Sequence, residues 1–124
     1  MKKTLIKKIF VPIYSVDLYI IVADDPYSQR RKFADRFGAG PNNDDWGGLC
    51  SSLDYNFGVF FERKSLSHSL IAHEVYHLVW HVLRFRCAKI NFSTQEEGAR
   101  LCGHLTEAVY RTLLDNKEKI GWFY

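Results

Sequence analysis

Apolar positions change their rhythm along the chain. Residues 5–14, LIKKIFVPIY, and residues 16–23, VDLYIIVA, are rich in β-branched and aromatic side chains. Both read as strands, with a turn near Pro12 to Ser15. Residues 57–62, FGVFFE, read as a third. After them the period lengthens. From Ser65 or Ser67 through Arg86, the residues Leu70, Ile71, Val75, Leu78, Val79, Val82 and Leu83 recur at the spacing of one helix face. A second long helix follows the segment CAKINF. Ser93 is its expected N-cap, with Glu96 three residues on in a capping-box pattern. It runs to about Asn116 through Leu101, Cys102, Leu105, Val109 and Leu113.

Two segments between the strands are more polar. SQRRKFADRFG, residues 28–38, predicts a short helix ending at Gly38, with Phe33 and Phe37 on one face. Residues 38–56 are dense in Gly, Asn and Asp and read as a long loop carrying Trp46. The tail IGWFY is expected to pack onto the body. Strands first and helices last predict an α+β fold, with the helices on one face of a small antiparallel or mixed sheet. Nothing marks a repeat or a linker, so residues 1–124 are expected to form a single domain.

Composition narrows the class. The chain is 47% hydrophobic and 15% aromatic, enough for a core without disulfide staples. Its net charge of +3 is spread out, apart from Arg30, Arg31 and Lys32 and the N-terminal lysines. No nucleic-acid partner is expected from so small an excess. Cys50, Cys87 and Cys102 form no CxxC pair and read as reduced thiols of a cytoplasmic protein. Lys7, Lys8, Pro12 and Asp17 interrupt the apolar N-terminal stretch, which predicts neither a signal-peptide core nor a membrane span.

Residues 72–77, AHEVYH, carry the candidate chemistry. On a helix, His73 and His77 share a face one turn apart, so both imidazoles can reach one ion. Zinc takes histidine nitrogens at about 2.0–2.1 Å, and catalytic sites use three protein ligands with an open fourth position. Glu74 then stands beside the ion, placed to act as a general base on water. The alternative is an ordinary helix with two partly exposed histidines and a solvated glutamate. For a third ligand, His81 lies two turns from His73 and has drifted about 80° around the axis at 3.6 residues per turn. The residues after His77, LVWHVL, lack the Gly and third His of HExxHxxGxxH. The next helix offers Glu96, Glu97 and His104.

An HExxH helix followed by a turn and a Glu-bearing helix resembles the gluzincin arrangement of zincin metallopeptidases. EEGARLCGHL is similar to an E-x-x-A-x-L-x-G-x-L pattern of small zincin-like proteins of phages and prophages, through Glu96, Ala99, Leu101, Gly103 and Leu105. The likeness covers roughly residues 57–113. It implies a minimal zincin-like domain that binds zinc through His73, His77 and Glu96 and hydrolyses a peptide bond in a narrow protein substrate, with Glu74 as general base. Spacing and Ala99 favour Glu96 as the third ligand, while the helical wheel sets Glu97 nearer the apolar face. In gluzincins an acidic residue often follows the ligand by four positions; here Arg100, or Leu101 if Glu97 is the ligand, stands there. The resemblance also implies that residues 57–62 form the sheet edge on which an extended peptide lies. His104, Tyr110 and Tyr55 are candidates for stabilising an oxyanion. A second reading keeps the fold and the zinc but not the reaction, as a phage-related interaction or assembly module.

Overall fold

The structure, a computed structural model, describes residues 4–12, 14–37, 48–53, 56–86 and 91–121. Among the described residues, four strands and four α-helices follow in the order β1 (Leu5–Val11), β2 (Val16–Ala23), α1 (Pro26–Phe37), β3 (Gly48–Leu53), β4 (Asn56–Glu62), α2 (His68–Phe85), α3 (Gln95–Asp115) and α4 (Lys117–Ile120). The fold is α+β, as expected.

The strands form one mixed sheet in the order β1-β2-β4-β3. β1 pairs with β2, and β3 with β4, antiparallel; β2 and β4 run parallel. The β1–β2 turn closes with Ser15 N–H donating to the Pro12 carbonyl at 3.3 Å, and Ser15 takes φ 50°.

The strand Asn56–Glu62 is not an edge: it lies between β2 and β3, and it is buried on both faces from Asn56 to Phe61. An inner strand must be apolar all round, which is what its Phe-rich composition serves. The edge beside it is β3, within the stretch read as loop. GLCSSL has little intrinsic strand preference, and pairing with β4 from Gly48–Phe61 to Leu53–Asn56 supplies its ladder.

The sheet is covered on both sides, not one. Leu18, Ile20 and Val22 of β2 and Phe57, Val59 and Phe61 of β4 face the main core, with Ile71, Val75, Leu78 and Val82 of α2 and Leu101, Leu105, Val109 and Leu113 of α3. The alternate residues Tyr19, Ile21, Ala23 and Phe60 pack against Phe33 of α1 on the opposite face. Phe33 meets Tyr19 and Phe60 edge-on, with ring centroids 5.6 and 5.5 Å apart. α1 therefore sits apart from the other helices. Arg30, on α1, is buried, which leaves Arg31 and Lys32 as the solvent-facing part of the basic triplet.

α2 begins as its sequence predicts. Ser67 is the N-cap, and its hydroxyl accepts from the Leu70 amide at 3.0 Å. α3 begins differently. Its N-cap is Thr94, with no side-chain cap bond, and the expected Ser93–Glu96 box does not form. Asn91 does the work one turn earlier: its Oδ1 accepts from the amides of Ser93 and Thr94 at 2.9 and 3.1 Å. A short Asx side chain reaches these amides before a helical turn exists, so it outcompetes the box. Ile120 of the tail is buried in the main core. Among the described residues no helix is long and apolar enough to cross a membrane.

Candidate metal centre

Helical spacing and one favourable rotamer pair bring the two histidines of AHEVYH together. The Nε2 atoms of His73 and His77 lie 3.2 Å apart, with the rings at 70° and their centroids at 4.8 Å. Two nitrogens bound tetrahedrally to one zinc at 2.0–2.1 Å stand about 3.3–3.4 Å apart. The Nε2 separation is thus close to one edge of a zinc tetrahedron. Without a metal the same separation lets one Nε2–H donate to the other ring.

The three residues differ in burial. Glu74 is 3% exposed and His73 44%. His77 is exposed as well. The core side of α2 is formed by Ile71, Val75, Leu78, Val79 and Val82, and both histidines stand on the far side of the helix from it. Of the three, Glu74 alone is buried, and a carboxylate is tolerated there because partners meet it. Its Oε2 lies 3.7 Å from His73 Nε2. His73 thus stands between the His77 nitrogen at 3.2 Å and the Glu74 carboxylate at 3.7 Å.

Glu96 is elsewhere. It stands on the first turn of α3, 74% exposed, and its Oε1 takes the Arg100 guanidinium at 3.4 Å. Among the described residues, no group of three or more His, Cys, Asp or Glu side chains is close enough to hold an ion. The histidine pair fits zinc at two vertices, and the structure does not bring Glu96 to it.

A scan against protein-family models, a search of curated proteins and a search of solved structures each found no match.

The other candidates fall into place on α3. Tyr110 is engaged at the N-terminus of α2, where its hydroxyl lies 2.6 Å from His68 Nδ1 and the two rings stack. His104 is exposed and lines a cavity of about 370 Å³ with Val11, Tyr14, Glu97, Arg100 and Leu101. Tyr14 was not anticipated. Its phenol is pushed above the ordinary tyrosine range, first by burial and then by the Glu97 charge. Arg86 donates to the Tyr14 carbonyl and so ties the β1–β2 turn to the end of α2. No local sequence signal marks Tyr14, because its partners come from distant helices. Trp46, Tyr55 and Cys87 lie outside the described residues. Cys102 is partly buried against the main core, a free thiol.

Proposed function

We propose that the chain is a zinc-dependent metallopeptidase of minimal zincin-like design. The observation that carries this is the convergence of His73 and His77 at 3.2 Å, with the buried Glu74 carboxylate 3.7 Å from His73. Zinc, when bound, supplies Lewis acidity to a substrate carbonyl and acidifies water in its shell. Glu74 takes the proton of the attacking water and returns it to the leaving amine. Its burial holds the carboxylate in place and shields it from bulk solvent, so it needs no reorganisation during the reaction.

Glu96 is proposed as the third ligand. The structure leaves Glu96 apart from the histidines, so ligation asks for a movement of the first turn of α3 together with release of the exposed Glu96–Arg100 pair, which is worth less than about 1 kcal/mol. The edge that would receive an extended peptide is β3, which touches α2. Backbone pairing along β3 would align the peptide beside the motif helix.

A second reading is favoured by the open setting of the pair. His73 and His77 share the outer face of α2 with the exposed rings of Tyr76 and Trp80. That setting also suits a zinc-holding interaction module without hydrolysis. Glu74→Gln separates the two. The peptidase reading predicts that this variant keeps its zinc and loses hydrolysis of a denatured protein substrate by about 10²–10⁴-fold. Equal hydrolysis by both forms would remove Glu74 as the base, and a zinc-loaded native chain with no hydrolysis would favour the interaction module.

A further inference from the structure

β1 is an edge of the sheet on the side opposite β3. Its inner side pairs with β2 from Leu5–Val22 to Val11–Val16, and among the described residues no strand takes its outer side. An open edge offers a row of unpaired amides and carbonyls to any extended chain. Two properties of this edge go beyond the generic case. First, Ile6 and Phe10 are 55% and 57% exposed, on the same strand face, with Lys8 between them. α1 covers Tyr19 and Ile21 of β2 but does not extend over β1. Second, space for an added strand's side chains is already present. A cavity of about 510 Å³ opens between β1 and α3, walled by Ile9, Phe10 and Pro12 on one side and Ala108 and Arg111 on the other. It shares His104 with the 370 Å³ cavity that starts at Val11, so the trough continues past the end of the strand.

We propose that β1 receives an extended, acidic segment of a partner protein as a fifth strand of the sheet. The partner's backbone completes the ladder, and a carboxylate lies opposite Lys8. Apolar side chains flank it beside Ile6 and Phe10. Charge selects this occupant. The nearest-neighbour ion partner of Lys8 is Asp17 at 3.7 Å, on the inner side, and the Lys8 side chain is 57% exposed, so its outer side remains open to an anion. A second copy of the chain fits poorly. The two-fold antiparallel register that would set Ile6 against Phe10 of the copy also sets Lys8 against Lys8, and like charges directly opposite are destabilising. On the trough side Glu107 and Arg111 pair at 2.6 Å and Asp115 adds a further carboxylate, so small uncharged side chains of the partner suit that face and its acidic group belongs on the Lys8 face. This surface is separate from α2 and does not depend on metal binding.

The test uses the full chain and a short synthetic peptide of alternating threonine and valine with a central glutamate, followed by fluorescence anisotropy. Saturable binding is expected. It should weaken about tenfold in Lys8→Glu, where an attractive cross-strand pair becomes a repulsive one. The same substitution should improve binding of a peptide with central lysine. N-methylation of alternate backbone amides of the peptide should abolish binding, because the ladder loses its donors. Absence of saturable binding overturns the proposal, as does undiminished binding of the N-methylated peptide. Sedimentation of the chain alone, if it shows a dimer lost in Phe10→Ser, assigns the edge to a second copy instead. Lys8 and Phe10 are exposed, and unchanged melting of the variants separates lost binding from lost folding.

Discussion

Gly58→Ala tests the packing of α1 on the sheet. Gly58 lies in β4, whose backbone is extended, so alanine meets no conformational barrier there. The obstacle is steric. A Cβ at residue 58 would stand 2.8 Å from Cε1 and Cζ of Phe60 and 3.4 Å from Cε2 of Phe33. The Phe60 ring is fully buried and braced edge-on by Phe33, so it cannot swing away without moving α1. Overpacking of this kind costs about 1–3 kcal/mol. Loss of glycine freedom in the unfolded chain returns about 0.4–1 kcal/mol. With two ring atoms inside 3 Å, the upper part of the steric range applies, and the net destabilisation should be about 1–2 kcal/mol. Urea denaturation reads it as a lower midpoint at unchanged slope. Phe60→Leu is destabilising alone, but it should absorb most of the Gly58→Ala cost in the double variant, giving a coupling of about 1 kcal/mol. A Gly58→Ala chain as stable as the native one, or strict additivity in the cycle, would refute the packing of α1 on β4.

Other expectations concern the metal helix and its neighbours. Zinc at about a hundredfold excess over its dissociation constant should stabilise the native chain by about 2.7 kcal/mol. His73→Ala should abolish that rise in Tm, and an unchanged zinc response would count against the site. Ser67→Ala removes the acceptor of the Leu70 amide and should cost about 1 kcal/mol in urea denaturation; no loss would mean that α2 starts without its cap. Glu96→Ala should weaken zinc binding more than Glu97→Ala in a competition titration, and equal losses would defeat the choice of Glu96 by spacing.

Much of α2 was legible because its signal is periodic and local. Ile71, Val75, Leu78, Val79, Val82 and Leu83 are all buried, and Ser67 caps the helix. β3 was not legible, since Gly48 to Leu53 carries neither alternation nor β-branching and becomes a strand through its partner. The second covered face had a readable trace: Tyr19 to Ala23 is apolar at every position, the mark of a strand buried on both sides. The outward setting of His73 and His77 was also implicit in the helical wheel, because they lie opposite Val75 and Leu78. The Asx turn at Asn91 and the meeting of Tyr14 with Glu97 depend on tertiary placement, which a local pattern does not encode.

The most direct test of the metal centre is elemental analysis of the native chain and His77→Ala, each purified without added metal. The account predicts one zinc per native chain and none in the variant. A native chain that stays metal-free after zinc is added would contradict it, and the 3.2 Å contact between the two imidazoles would then be a hydrogen bond on the face of an ordinary helix.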